Sequence, residues 1–429
     1  MRILMVAQMY PWPPVDGYRQ RLSHMISALG QAGEVELISV DRHSIGAERV
    51  EPPAVTGLGK VSTLTPGPET PMRDWLRLWV MGDPPRRLIA VDSYELTEAV
   101  LRRLESGPDI DLVFYSLLDT WWPVHEAMKN SRTATRSNDR IRPVEVVDFN
   151  DLENLSLKLR RRNPPRFTPG SGPIAHLRVL SRWAISRGFD LIDERRWDAV
   201  QRDCAAQVAA VVVCSELDIE RSGCTNAVVV GNGAQAPERI MTDRMALQTA
   251  TPTMLFVGAL DYEPNSDAVE WFVREVMPQI LAKVPAARLR IVGRNPERVS
   301  WVGSQPGVDL LGLVDDLAPE LDSADVSIVP IRVGAGTRLK VLEALAHCIP
   351  LVTTSIGSEG IAVQHNIDAL VADSAGEFAA ACISLLSEGE LRQRLSQAGA
   401  ELFRRQYEWS RIEADLASKV TSWVEQAQA

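Results

Sequence analysis

Short apolar segments alternate with helical patterns along the second half of this 429-residue chain, and this alternation limits the folds open to it. The segments are rich in Val, Ile and Leu, which is typical of buried strands. Strands are predicted at Met254–Val257, Leu289–Val292, Val308–Leu311, Val326–Ile331, Leu351–Thr354 and Leu370–Val371. Because strand–helix alternation at this spacing builds a parallel, doubly wound sheet, we predict a Rossmann-like α/β unit.

The first half of the chain has the same pattern. Helical patterns run from about Tyr18 to Leu29 and from about Ile174 to Gln207. Strands are predicted at Arg2–Gln8, Val35–Asp41, Leu112–Ser116, Val144–Phe149, Val211–Cys214 and Ala227–Val230. Pro237–Pro252 has no clear period and is predicted to link the halves, so the chain is expected to contain two Rossmann-like domains.

Composition excludes several classes of protein. The net charge of −10 argues against a general nucleic-acid binder, which would carry a basic balance. Five cysteines without CxxC spacing are typical of reduced thiols, and we predict a cytoplasmic protein. No apolar run reaches the roughly 18 residues of a membrane span. The apolar run Ile3–Ala7 is too short for a signal peptide and is predicted to lie in the first strand.

The segment that follows the predicted strand Val326–Ile331 carries the strongest functional signal. Gly334 and Gly336 interrupt the pattern, Thr337 offers a hydroxyl near a helix start, and a helix is predicted from Arg338 to His347. A strand, a Gly-rich turn and a helix together present backbone N–H groups and the positive end of the helix dipole to an anion. Arg338 and Lys340 add side-chain cations, so we predict a seat for a nucleotide diphosphate.

Other interpretations of this segment remain open from spacing alone. Gly-x-Gly is weak, and the third glycine of the dinucleotide fingerprint is absent. Lys340 and Glu343 are three residues apart and can form an ion pair on the helix surface. Arg338 and Lys340 would diverge by about 200° inside a regular helix, so both reach one phosphate only if Arg338 precedes the helix.

Several motifs occur in an order that resembles one enzyme family. GAGTRLKVLEALAHCIPLVTTSIGSEGI, LFVGALDYEPNSDAVEWF, LRIVGRNP and QYEWSRIEADL are similar to the donor-site region of glycosyltransferase family 4, the retaining glycosyl transferases group 1. The resemblance implies the α/β GT-B fold, in which two Rossmann-like domains face a cleft and a C-terminal helix crosses back to the first domain. It divides the chain into an acceptor domain at residues 1–240, a nucleotide-sugar domain at 250–405 and the returning helix at 406–429.

The resemblance also implies roles for individual residues. Arg338 and Lys340 are expected to stabilise the leaving diphosphate, and Glu343 to hold the ribose. Gly293 and Val314 are expected to line the base. The donor-binding set is completed by Gly17, Gly258, Arg294, Gly334, Gly336 and Thr337, which fall in turns expected to face the donor. For Gly17, a tight turn that merely needs a small residue is the alternative.

The chain departs from the family pattern at four positions. Some family members carry two glutamates at a fixed spacing, and Ala335 stands in the place of the first of them. The segment GALDYEPNSD lacks the Arg and Lys that many relatives have there. Asp148 lies near the place where many relatives present a His to the reacting sugar, and it is assigned a catalytic role. Cys348 occupies a usual Gly position and is expected to act in packing only.

The predicted activity is transfer of a sugar from a nucleotide diphosphate sugar, a UDP-sugar by resemblance, to an acceptor hydroxyl with retention. No cofactor and no metal are predicted, because no Asp-x-Asp pair follows a strand end. A nucleotide-sugar epimerase or phosphorylase of the same fold is one alternative, and a catalytically inactive binding protein is another. The acceptor is a small molecule, a saccharide or a lipid-linked molecule.

The acceptor is assigned to the N-terminal half because seven of the eleven tryptophans precede residue 200, and aromatic faces stack on sugar rings. Ordinary core packing of these tryptophans is the alternative. The basic run Lys158–Arg166 predicts contact with an anionic acceptor or a membrane surface, or else a solvated helix end.

Overall fold

The computed structural model describes residues 1–41, 50–65, 67, 71–82, 84–90, 93–131, 142–162, 172–247, 251–334 and 336–429. The chain divides into two compact units. Unit 1 contains Met1–Gly231 together with Glu413–Ala429, and unit 2 contains Asn232–Ile412. Each unit is built on one parallel sheet, which confirms the fold class predicted from the strand–helix alternation.

The sheet of unit 1 has seven parallel strands in the order β3-β2-β1-β4-β5-β6-β7. The strands are β1 (Arg2–Ala7), β2 (Glu34–Val40), β3 (Leu58–Leu64), β4 (Leu112–Ser116), β5 (Val144–Asp148), β6 (Ala210–Val213) and β7 (Ala227–Val229). Central β1 and β4 are almost wholly buried, because helices cover both faces of such a sheet. The sequence analysis missed β3, an edge strand whose residues LGKVSTL are only partly buried and so lack an apolar run.

Eight helices connect the described strands of unit 1. They are α1 (Gly17–Ala32), α2 (Met72–Met81), α3 (Arg86–Ala90), α4 (Tyr94–Glu105), α5 (Leu118–Ser131), α6 (Glu153–Arg162), α7 (Pro173–Gln207) and α8 (Glu216–Ser222). Asp16 caps α1, because its Oδ1 accepts a hydrogen bond from the backbone N–H of Arg19 at 2.9 Å. Gly17 is therefore the first residue of a helix.

A buried ion pair ties α1 to the sheet of unit 1. Arg21 donates from Nε and Nη2 to the two carboxylate oxygens of Asp148 at 2.8 and 2.9 Å, and both side chains are 1% exposed. Arg21 Nη1 also donates to the carbonyl oxygen of Val230 at 2.9 Å. The bidentate geometry satisfies a carboxylate at the end of β5 that water does not reach.

The sheet of unit 2 has six parallel strands in the order β10-β9-β8-β11-β12-β13. They are β8 (Thr253–Val257), β9 (Arg288–Val292), β10 (Val308–Gly312), β11 (Val326–Val329), β12 (Leu351–Thr353) and β13 (Leu370–Val371). All six predicted strands of this half are present, and no strand end differs from the prediction by more than two residues.

The helices of unit 2 cover both faces of this sheet. They are α9 (Glu263–Trp271), α10 (Met277–Leu281), α11 (Ala318–Ser323), α12 (Leu339–Ala346), α13 (Ala375–Ser387) and α14 (Gly389–Gln406). A π-helical turn at Phe272–Val276 joins α9 to α10, and Pro296–Ser304 forms 3₁₀ turns.

The last helix, α15 (Trp409–Gln428), begins in unit 2, and its residues from Glu413 onward belong to unit 1. In unit 1, the Glu413 carboxylate lies 2.6 Å from Nδ1 of His24 and accepts a hydrogen bond from Gln31 at 3.1 Å. Leu416, Val420 and Val424 of this helix are buried. Across the described residues, we find no helix long and apolar enough to cross a membrane.

Replacing Arg21 with Ala leaves the Asp148 carboxylate buried without its ion-pair partner. We expect the Arg21→Ala variant to lose about 3–5 kcal/mol of unfolding free energy, the usual cost of breaking a buried pair from one side. Urea unfolding of the full chain measures the loss. Arg102→Ala is the matched control, since its pair with Glu98 is exposed and is worth only about 0.3–0.5 kcal/mol. A loss for Arg21→Ala no larger than that of the control would contradict this account.

Candidate functional site

Polar and glycine residues cluster at the carboxyl ends of three neighbouring strands of unit 2. Gly258 follows β8, Gly293 follows β9, and the turn with Gly334 and Gly336 follows β11. Ligands of doubly wound sheets bind at this edge, because loops there leave strand ends open and helix N-termini point toward them. The sequence prediction placed most of its donor-binding residues here.

Gly258 and Gly293 bring two backbones into close contact. The Gly258 N–H donates to Val292 at 2.9 Å, and a Cβ atom on Gly293 would lie 1.9 Å from the Gly258 carbonyl oxygen. A side chain at residue 293 would therefore force these two turns apart. The neighbouring Arg294 is exposed, and its Nε lies 3.2 Å from Asp261 Oδ1.

The turn between β11 and α12 needs two glycines. Gly334 has a φ of +132° and Gly336 a φ of +80°, values that side-chain-bearing residues rarely adopt. Thr337 is half-buried in this turn, and Ala335 lies outside the described residues.

Arg338 has φ −87° and ψ 90°, so it precedes the first helical residue, Leu339. This meets the condition under which Arg338 and Lys340 can face one anion. The Arg338 side chain is 7% exposed, and its Nη1 donates to the carbonyl oxygen of Gly336. The guanidinium is therefore held over the Gly-rich turn, where the backbone leaves room for it.

Lys340 reaches from α12 to the end of β8. Its Nζ donates to Asn265 Oδ1 at 2.7 Å and lies 4.2 Å from the centre of the Phe256 ring. Gly258 leaves the space for this ammonium, because a Cβ at that position would lie 2.6 Å from Nζ. Burial lowers the pKa of Lys340 to about 7; nearby Arg338 lowers it too, and Glu343 partly opposes the shift.

Glu343 lies one turn further along α12 than Lys340. Lys340 Nζ donates its hydrogen bond to Asn265, and its charge also attracts the Glu343 carboxylate, so an interaction between the two side chains stays an alternative to a role in ribose binding. Burial raises the pKa of Glu343, and attraction to Lys340 partly offsets the rise. Its carboxyl group is thus partly buried beside the cationic turn.

The sequence analysis missed two residues of α9 that support these groups. Asn265 is 7% exposed and also donates from Nδ2 to the Ala259 carbonyl oxygen at 2.8 Å. Asp267 is 2% exposed and accepts from Arg332 Nη2 at 2.6 Å. Helix α9 also contains Glu263, Ser266 and Glu270, so the sequence did not single out Asn265 and Asp267 as its buried polar residues.

The remaining predicted residues lie elsewhere. Val314 follows β10 and packs against a small apolar cluster that includes Leu255 and Val292. Gly17 and Asp148 belong to unit 1. The ion pair with Arg21 gives Asp148 a structural role, and the catalytic role assigned from the sequence stays a prediction. In the described ranges, we find no group of three or more His, Cys, Asp or Glu side chains that could hold a metal ion.

Part of the chain is similar to known glycosyltransferases. Residues 251–388 match the family model described as "Glycosyl transferases group 1". A phosphatidyl-myo-inositol mannosyltransferase from Mycobacterium leprae is 29% identical over 200 residues, which are 44% of this chain and half of that protein. The cationic turn, Lys340 and Glu343 therefore lie in the segment that matches this family model, and the chain spans only half the length of this relative.

Two solved structures cover nearly the whole chain. A sucrose-phosphate synthase from Thermosynechococcus elongatus matches with a TM-score of 0.66 and 16% identity, over 99% of this chain and 100% of that one. Anabaena Alr3699/HepE in complex with UDP matches with a TM-score of 0.59 and 12% identity, over 98% and 100% of the two chains. These likenesses confirm the GT-B fold.

Lys340 makes the stability of the protein depend on pH in a specific direction. Its pKa is lower in the folded protein than in the unfolded chain, so between about pH 7 and 10 the unfolded chain binds more protons and stability rises with pH. The neutral Lys340→Met variant has no proton to release at this position, so its stability lacks this pH dependence. We expect it to be more stable than the parent protein near pH 6.5 and to lose most of that advantage by about pH 10.

Denaturant unfolding across this pH range measures the difference. Lys283→Met is the matched control, since Lys283 is exposed on the surface of unit 2. Parallel pH profiles for Lys340→Met and the parent protein would contradict the buried position of this ammonium.

Proposed function

We propose that this protein transfers a sugar from a UDP-sugar to an acceptor hydroxyl, retaining the anomeric configuration and using no metal ion. The observation that carries the proposal is the pair of cations, Arg338 and Lys340, at the Gly-rich turn between β11 and α12. Both lie in the part of the chain that matches glycosyl transferases group 1.

The charges of Arg338 and Lys340 favour a bound diphosphate. Arg338 and Lys340 are close enough that the charge of Arg338 lowers the pKa of Lys340. Their mutual repulsion and the loss of hydration disfavour the protonated Lys340, while a bound anion favours it. A diphosphate beside them replaces lost hydration with charge-assisted hydrogen bonds.

The same arrangement serves the chemical step. As the bond between sugar and diphosphate breaks, negative charge grows on the leaving phosphate oxygens. Arg338, Lys340 and backbone N–H groups of the turn are held in place beforehand, so they stabilise this charge without reorganisation. We propose that the departing phosphate accepts the proton of the acceptor hydroxyl, which needs no protein nucleophile.

Glu343 is proposed to hold the ribose. Its carboxyl group is partly buried one turn beyond Lys340, and an acceptor of this kind binds the two hydroxyls of a ribose. Hydrogen bonds from those hydroxyls favour the ionised carboxylate and offset its desolvation. UDP is proposed as the nucleotide because the Anabaena protein of the same fold is described in complex with UDP.

One sequence feature favours a second candidate, a nucleotide-sugar-binding protein without turnover. Ala335 replaces the first acidic residue of the two-glutamate pattern. Slow hydrolysis of the donor in the absence of acceptor separates the two candidates, since only an enzyme releases free sugar.

Nucleotide binding by the full chain tests the site. We expect UDP to bind, and Lys340→Met to weaken binding about tenfold or more near pH 6.5, the loss of one hydrogen bond to a charged group. As pH rises above 7, the free protein loses the Lys340 proton, so UDP affinity falls and the difference between the two proteins shrinks.

Isothermal titration at several pH values measures both effects, with Lys283→Met as the control. Absence of UDP binding by the folded parent protein would overturn the proposal of a UDP-sugar donor. Equal UDP affinity in the parent protein and in Lys340→Met would show that Lys340 does not contact the nucleotide.

Arg338 and Glu343 should differ in the kinetic parameter they control. Arg338 meets charge that grows in the transition state, so Arg338→Ala should lower kcat about 10²-fold or more. Glu343 makes the same contact before and during reaction, so Glu343→Ala should raise donor KM about tenfold with little change in kcat.

Steady-state kinetics with UDP-sugar donors measure both variants. Arg288→Ala is the matched control, since Arg288 pairs with Asp309 at the opposite end of β9 from Gly293. A donor KM within about twofold of the parent value for Glu343→Ala would end its assignment to the ribose.

A further inference from the structure

Helix α7 carries an apolar stripe that faces solvent. Ile174, Leu177, Ile185 and Ile192 are 71%, 68%, 64% and 42% exposed. At about 100° per residue these four side chains lie within about 80° of one another, and they extend over about 27 Å of helix. Ser181, Ala184 and Gly188 fall on the same face, so small residues fill the gaps between the larger ones.

Buried contacts on the other sides of α7 anchor the helix, which fixes the outward direction of the stripe. Asp190 and Asp193 are almost wholly buried and form ion pairs with Arg86 at 2.6 and 2.5 Å. Phe189 packs on Trp79 of α2 with ring centres 5.0 Å apart. Because these contacts bind one side of the helix to unit 1, the stripe cannot turn inward without breaking buried ion pairs.

Exposed arginines flank the first half of the stripe. Residues 154–189 contain no Asp or Glu, although the whole chain has a net charge of −10. Arg178, Arg182 and Arg187 are exposed on α7 beside the stripe. The described cations of α6 are Lys158, Arg160, Arg161 and Arg162, of which Arg160 and Arg161 pair with Asp190 and Glu194 on α7.

Helix α2 adds further exposed apolar surface next to α7. Trp79 is buried and donates from Nε1 to Asp193 Oδ1 at 2.8 Å, which anchors α2 on α7. Other side chains of α2 are large, apolar and exposed. They are Leu76, Leu78, Val80 and Met81, with exposures of 40%, 55%, 67% and 77%.

We propose that the α7 stripe docks on a lipid bilayer surface that contains anionic phospholipids. An apolar helix face flanked by arginines lies stably at the boundary between headgroups and acyl chains, and anionic lipids attract the flanking cations. A second copy of the chain fits less well, because a two-fold contact of the stripe with itself would bring the arginine flanks of both copies together. The membrane contact predicted from the sequence at Lys158–Arg166 is thus proposed at α7 instead. Residues 163–166 lie outside the described residues.

Flotation of the full chain with vesicles tests this proposal without donor or turnover, so its outcome is separate from that of the proposed function. We expect the protein to float with vesicles of phosphatidylcholine and phosphatidylglycerol, and much less with phosphatidylcholine alone. Binding should weaken as salt is raised, since exposed charges are screened. The Leu177→Gln, Ile185→Gln double variant should bind these vesicles at least about tenfold more weakly than the parent protein.

Two matched controls separate the stripe from a general loss of fold or charge. Ile367→Gln changes an isoleucine that is 53% exposed in unit 2, and Arg202→Gln changes an exposed arginine near the other end of α7. Both should float like the parent protein, whereas the Arg178→Gln, Arg182→Gln double variant should lose the preference for anionic vesicles.

Two results would overturn the proposal. One is absence of flotation with anionic vesicles by the folded parent protein. The other is a dimer in analytical ultracentrifugation that the Leu177→Gln, Ile185→Gln variant dissociates while vesicle binding is unchanged, since the stripe would then be covered by a second copy.

Discussion

The hydrogen bond between Lys340 and Asn265 connects the parts of unit 2 on which the candidate site depends. It links the first turn of α12 to α9 across the end of β8, and it holds an ammonium in a space that only glycine at residue 258 leaves open. Asn265 in turn binds the Ala259 carbonyl oxygen, so the turn after β8 is fixed by the same side chain. One amide thereby positions both a cation and the backbone beside it.

A second set of buried contacts supports the far end of α12. Arg244 donates to the carbonyl oxygens of Cys348, Ala324 and His347 at 3.0, 2.9 and 3.0 Å. These carbonyl groups lie at the end of α12 and before β11, so one guanidinium satisfies acceptors from both elements. The two ends of α12 are thus held by different means, a side-chain amide near its start and a buried arginine at its end.

Most of the fold followed from periodicity, and the details of the site did not. The strands of unit 2 were predictable because they are short and rich in apolar residues, whereas β3 was not, because its partly exposed residues carry no apolar pattern. The position of Arg338 before α12 met a condition that helix geometry sets in advance. Asn265 could not be predicted as the partner of Lys340, since the two are 75 residues apart and meet only through the sheet.

Unit 1 is discontinuous along the chain, and this affects how the protein is made. Its first part ends at Gly231, and its last part begins at Glu413. On a ribosome that adds about 5–20 residues per second, the intervening residues 232–412 take roughly ten to forty seconds to emerge. During that time the surface that receives Leu416 and Val420 of α15 stays uncovered. Nascent unit 1 therefore waits for unit 2 to be translated before its own packing is complete.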